Sequence, residues 1–364
     1  MSGVSRSPHS VGDDRREPGH VSERHRGWVR AAIAIATIAL IGVFARTVDW
    51  SRAWDAMSNA DPLFICLAVA MNLATLVIKA IRWRLFLAPI GVPSVGLAIR
   101  STLAGAALNN VLVAHGGDAA RVAAVARLAN VSSADVLATA AVDKFCDLAT
   151  YVVIFVVAAF ALPLPPELAR WRMPGLTAIA ALAAVAAVIV WRSQPSSSGT
   201  DAPDATTFAT RTRAYIRRLV KTLAQVSTAR RLTIALLIAL TAWAGQWATF
   251  HFAAVAASFP ATPATSLLAL LTVNASFLVR LTPGNVGVFQ LLYALASTSA
   301  GLDRDGAVAV AFLISLIQYI PVTSTGLVLA ASLARQGERA PVGSSLERND
   351  IVTTRPGGGP HGRT

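Results

Sequence analysis

Charged residues are scarce in this sequence. Asp, Glu, Lys and Arg make up 14% of its 364 residues, against about a quarter in an ordinary soluble domain. From Leu232 to Val279 there is none of the four, and from Gly306 to Ala334 again none. Apolar stretches of roughly 20 residues cross a bilayer as helices. The absence therefore excludes a soluble globular chain and predicts an all-α polytopic membrane protein. Cysteine is almost missing too. Cys66 and Cys146 lie inside apolar segments without a CxxC partner, which excludes a disulfide framework and a zinc centre. Both thiols read as packed small hydrophobes. No P-loop is present, so ATP is not the drive, and neither a cofactor nor a metal is expected. His9, His20 and His25 stand in a polar N-terminal tail and read as solvated.

What charge there is has one sign. The formal net charge is +13, yet no nucleic-acid motif accompanies it, and basic charge alone does not make a nucleic-acid partner. The Lys and Arg residues gather at the ends of apolar segments instead. Residues 1–27 read as a disordered cytoplasmic tail, 28–335 as the membrane domain, and 336–364 as a second disordered cytoplasmic tail. Six segments read as full spans: 28–46, 62–81, 133–162, 174–191, 232–258 and 306–334. The first reads as a signal anchor. The loop 46–61 has two Arg against three Asp, whereas the loop 192–231 carries eight Lys and Arg against two Asp. With six spans, every basic loop falls in the cytoplasm.

Two further apolar stretches fit this count only if they turn back. Residues 96–130 and 264–301 each have an Asn-containing helix, a break rich in Gly or Pro, and a second short helix. The loop charges predict that the first enters from the cytoplasm and the second from outside, as opposed re-entrant hairpins. Each precedes a long span, an inverted repeat offset by roughly 170 residues. Broken helices in matching positions of inverted halves point to a transporter site. In the basic loop, Tyr215, Leu219, Leu223 and Val226 recur at helical spacing over 211–231. They predict an amphipathic helix, lying on anionic lipid or serving only to set topology.

Three clusters carry candidate chemistry. In "NNVLVAHGGDAAR", Asn109 and Asn110 precede a break at Gly116 and Gly117, and Asp118 is placed to cap the next helix. Arg121 shares a face with Asp118. The cluster is a capped helix with a local ion pair, or a headgroup site with Arg121 on a phosphate. In "AVDKFCD", Asp143, Lys144 and Asp147 fall early in a span, where either Lys144 snorkels to the cytoplasmic interface and the Asp residues pair with Arg121 or Arg127, or all three line a cavity and couple transport to protons. In "RLTPGNVGVFQ", Pro283 ends one half-helix, Gly284 and Asn285 turn the chain, and a helix starts near Val286. With Arg280, Gly287 and Gln290, that start makes a ready anion site; the alternative is an ordinary loop between two spans.

"IKAIRWRLFLAP", "LNNVLVAHGGDAARVAAVARLANVS", "AVDKFCD" and "LTPGNVGVFQ" occur in the order of the flippase-like membrane family named for the transmembrane region of lysylphosphatidylglycerol synthase. The resemblance covers about 60–335. It implies a multi-pass protein of the plasma membrane, the inner membrane of a bacterium, related to lipid translocation. Asp118 and Arg121 match the acid and Arg of the family pattern, and Pro283, Gly284 and Gly287 match its second tip. "VAHGGD" lacks the Pro and Arg often found there, and Gln290 stands where Glu is frequent. Only about 30 residues follow Ala334, so the soluble aminoacyl-transferase domain of the full synthases is not expected. The reading is a lipid flippase-like protein, not an enzyme. It would move an anionic or polyprenyl-phosphate-linked lipid, with membrane lipids as partners. The alternatives are a membrane-embedded lipid or glycan transferase, or a non-transporting partner of a lipid-modifying enzyme.

Overall fold

The computed structural model describes residues 51, 54–55, 58–111, 116–161, 170, 172–192, 208–276 and 287–339. All of them belong to the compact unit Val48–Thr364. The expected first span, 28–46, lies outside the described residues, as do Arg280, Pro283, Gly284 and Asn285. Among the described residues every regular element is helical.

The helices are α1 (Pro62–Leu87), α2 (Val95–Val111), α3 (Gly116–Leu128), α4 (Ser133–Ala161), α5 (Arg172–Arg192), α6 (Phe208–Val226), α7 (Ala229–Ala256), α8 (Pro263–Ser276), α9 (Val288–Ser299) and α10 (Arg304–Arg339). Four are long and apolar enough to span a membrane: α1 with the short turn after it, α4, α7 and most of α10. Six full spans were expected. Of the other two, one is undescribed, and α5 contributes a shorter apolar stretch, Arg172–Val188.

Polarity is inverted relative to a soluble bundle. Val157, Leu237, Ile320 and Val328 face outward, while Asn72, Arg82, Asp143 and Gln290 are buried. Large exposed apolar faces are stable only when lipid covers them. Cys66, expected inside, is one of these outward residues; Cys146 is buried.

Local chemistry fixes where α1 begins. Asp61 accepts a hydrogen bond from the Leu63 amide at 2.8 Å and Pro62 opens the first turn, a pairing that suits a helix N-terminus. The Asp61 amide donates to the Ala256 carbonyl at 2.8 Å, tying the start of α1 to the end of α7. From there the two helices run antiparallel to a shared core of Phe86 and Ala235.

Two helix pairs fold back within this frame. Helices α2 and α3 are antiparallel, and the Gly117 amide donates to Asn109 Oδ1 at 2.9 Å. A side chain on Gly117 would strike the Gly105 carbonyl and the Asn109 backbone, so glycine sets the close approach. The outer ends of this pair share a core with Trp83, Leu87, Val136 and Leu333. Helices α8 and α9 pair at the opposite end. Trp247 donates to the Pro263 carbonyl at 2.9 Å, and His251 meets Ser266 at 3.2 Å.

Helix α10 runs beside both pairs. Asn110, next to the inner end of α2, donates to Thr323 Oγ1 at 3.0 Å. Gln290, in the first turn of α9, donates to Ser315 Oγ at 3.0 Å. The contacts of the two pairs on α10, at Thr323 and Ser315, thus lie roughly 12 Å apart, at about 1.5 Å per residue. Between these contacts stands Pro321, which has no amide to offer the Ile317 carbonyl. Asn72 of α1 donates to that carbonyl at 3.4 Å instead.

Candidate functional site

The buried charges converge where α1, α3 and α4 meet. Arg82 Nε lies 2.7 Å from Asp143 Oδ1, and Arg82 Nη1 lies 2.6 Å from Asp147 Oδ1. Asp143 and Asp147 are one turn apart on α4, so a single guanidinium reaches both. Arg121 of α3 approaches the other side of Asp143, Nη2 to Oδ2, at 3.5 Å, and Asp118 at 3.7 Å. Lys144 Nζ closes the cluster at 3.1 Å from Asp118.

Trp83 orients Arg121. The guanidinium carbon sits 4.4 Å from the centre of the indole ring, a favourable cation–π geometry. The indole in turn donates through Nε1 to Thr139 Oγ1 at 3.1 Å. Arg121 is 7% exposed, yet its Nε and Nη2 close no hydrogen bond. The side chain lines a cavity of about 260 Å³, walled by Ser101, Gly105 and Leu108 of α2, Arg127 of α3 and Leu333 of α10. A guanidinium held by a ring face, with carboxylates standing off, retains donors for a planar or tetrahedral oxyanion.

A family model for the lysylphosphatidylglycerol synthase TM region matches residues 28–326. The chain belongs to this family. The match takes in all ten helices except the last part of α10. Comparison with individually curated proteins gives no match.

The sequence-derived candidates divide. Asp118, Arg121, Asp143, Lys144 and Asp147 come together in one cluster. Asp118 lies in the first turn of α3, which starts at Gly116, and so is inside the helix where a cap was expected. Asp143 pairs first with Arg82, and only at longer range with Arg121. Asn109 and Asn110 are engaged within the protein, one holding Gly117 and the other Thr323.

At the second tip, α9 starts at Val288, two residues later than expected. Gly287 precedes it at φ 86°, a backbone region that favours glycine. The Gly287 amide, expected free for an anion, donates to Gln290 Oε1 at 2.7 Å. Gln290 is thereby used at both ends of its amide. Among the described residues no cluster of His, Cys, Asp or Glu is arranged to hold a metal.

Sequence reasoning missed Arg82 and Trp83. The signal was present in α1. Asn72, Thr75, Lys79 and Arg82 recur at helical spacing, a polar stripe on an apolar helix. In lipid such a stripe turns inward, and Asn72, Thr75 and Arg82 are buried. The expected amphipathic helix exists as α6, over Phe208–Val226, with 229–231 belonging to α7. Its apolar stripe is split. Leu223 and Val226 pack into a core with Phe86 and Leu232, while Tyr215, Ile216 and Val220 are exposed.

Proposed function

We propose that this protein carries the polar headgroup of an anionic or polyprenyl-phosphate-linked lipid between leaflets. Helices α2–α3 and α8–α9 act as opposed re-entrant hairpins. The observation that carries the reading is Arg121: a nearly buried guanidinium whose Nε and Nη2 close no hydrogen bond, lining a cavity beside the first helix pair. A phosphate can supply the close hydrogen-bond acceptors that these nitrogens lack, since the carboxylates of Asp118 and Asp143 stand off at 3.7 and 3.5 Å. The opposed entry of the two helix pairs supports alternating access, because each tip can close the path from its own side. The end holding Arg84, Arg100, Arg127 and Arg335 faces the cytoplasm by the positive-inside rule, with both termini on that side.

The test is lipid movement in proteoliposomes carrying fluorescent phosphatidylglycerol or a polyprenyl phosphate, read by an impermeant quencher. Arg121→Gln should slow movement about tenfold or more, the worth of one charge-assisted hydrogen bond. Arg84→Gln is the control. Arg84 is only partly buried, lies outside the Arg121 cavity and donates to the Pro93 carbonyl at 2.7 Å, so its loss should leave the rate near wild type. Equal rates for wild type and Arg121→Gln would remove the phosphate role. No movement by a folded wild-type protein would favour a non-transporting partner of a lipid-modifying enzyme.

A further inference from the structure

A second pair of cavities lies on a different face of α4 from Asp143 and Asp147. One, of about 290 Å³, runs between Phe145, Ala149 and Val153 of α4, Ala186 of α5 and Leu236 of α7. The other, of about 190 Å³, shares Phe145 and Ala186 and extends to Ser227 at the α6–α7 junction. Together they form a cleft from Val142 to Val153, roughly 16 Å along α4 at the helical rise. Its walls are almost wholly apolar.

The end at Ser227 is different. Ser227 is 1% exposed and its hydroxyl has no hydrogen-bond partner, an arrangement that is costly unless an occupant supplies one. Around this end α6 and α7 hold exposed Arg217, Lys221 and Arg230, and half-buried Arg231. Beside them, Ile216 and Val220 are exposed and apolar, the make-up of a helix resting at a lipid headgroup layer. The Thr150 hydroxyl, also unpartnered, sits deeper in the cleft, where an alkyl chain would offer it nothing.

We infer that this cleft holds one chain of an anionic glycerolipid. The tail lies along α4 between α5 and α7, an ester oxygen meets Ser227, and the acidic headgroup rests among Lys221, Arg230 and Arg231. This resident lipid occupies a site apart from the Arg121 cavity, so the inference does not depend on the transport reading. It fastens α5 and α6 to the α4–α7 pair, filling space that side chains leave open.

The experiment uses the full chain in detergent, with native mass spectrometry for retained lipid and thermal unfolding during titration with phosphatidylglycerol or phosphatidylcholine. Wild type should retain about one phosphatidylglycerol per chain and gain more thermal stability from it than from phosphatidylcholine. Ala149→Phe fills the cleft and should abolish both retention and the preferential shift. Lys221→Gln with Arg230→Gln leaves the cleft open and should reduce phosphatidylglycerol to the level of phosphatidylcholine, as should high salt. Arg84→Gln, outside the cleft, should leave retention unchanged. If Ala149→Phe fails to fold, Ala186→Phe blocks the same cleft from α5. Retention that survives the filled cleft, equal shifts from the two lipids in wild type, or loss of retention in Arg84→Gln would each overturn the inference.

Discussion

Arg82 and Asp143 meet at 2.7 Å, Nε to Oδ1, with the arginine side chain wholly shielded and the aspartate 4% exposed. The same guanidinium holds Asp147 at 2.6 Å, while its Nη2 is left without a hydrogen-bond partner. This joint fastens α1 to α4 directly under the cation–π stack of Trp83 and Arg121. Removing one member of a buried pair leaves the other charged and unpaired, which costs about 3–5 kcal/mol. Arg82→Gln should therefore lower thermal stability in detergent more than any exposed arginine change. Arg82→Met combined with Asp143→Leu should recover part of the loss. Arg82→Gln melting like Arg84→Gln would mean that the joint contributes little.

The crossing of α2 and α3 predicts a sharp difference between two glycines. Gly117→Ala sets a methyl against the Gly105 carbonyl and the Asn109 backbone, and overpacking of this kind costs about 1–3 kcal/mol. Gly96, in the first turn of α2, has nothing near the place of a new Cβ, so Gly96→Ala should be neutral or slightly stabilising. Parallel melting curves of the two variants read the difference.

At the other tip, Gln290 is predicted to matter through its shape. Gln290→Leu leaves the Gly287 amide and the Ser315 hydroxyl without their partner, a loss of about 1–3 kcal/mol. Gln290→Glu still accepts from Gly287, and the Ser315 hydroxyl can turn to donate to it. Protonated at low pH, that variant should melt close to wild type; ionised, it is a buried and unpaired charge, so its melting temperature should fall as pH rises. Equal stability of the Leu and Glu variants at low pH would show that the amide is not holding the start of α9.

Helix α6 is pinned to α4 by Asp135, which takes Arg218 Nη2 at 2.7 Å and the Thr222 hydroxyl at 2.6 Å. Arg218 is half exposed, and its guanidinium is held more firmly protonated by the hydrogen bonds that it donates to Asp135. Exposed pairs contribute about 0–1 kcal/mol. Asp135→Asn should leave the global melting temperature within a degree or two. Hydrogen exchange in α6 should nonetheless rise, because one helix would lose its anchor while the bundle keeps its core.

Much of this architecture was legible in the sequence because lipid imposes a simple rule: uncharged runs become spans. The paired short helices were legible from Asn109, Gly117 and Gly287, where asparagine and glycine interrupt apolar runs. The cluster of Asp118, Arg121, Asp143 and Asp147 was legible as costly charge that must find company. Who keeps company with whom was not. Arg82 read as a topology-setting cation because it sits near a helix end, and nothing local says that its side chain turns inward to α4. Gln290 read as a ligand group because local sequence does not reveal Ser315, which belongs to another helix. The apolar stripe of α6 left a lipid face and a topology-setting helix both open, because burial against neighbouring helices uses the same residues that burial in a membrane would.

Pro321 gives α10 a consequence of its own. The helix is the common rail on which both folded-back pairs rest, one at Ser315 and one at Thr323, with the proline and its diverted Ile317 carbonyl between them. A rail with a joint between its two loads transmits bending. If the angle at the joint changes, the seat of one tip swings relative to the seat of the other. Asn72, holding the freed carbonyl from α1, acts as the stop that fixes the resting angle. If the two pairs act as gates, this mounting gears them together, because moving one shifts the seat of the other.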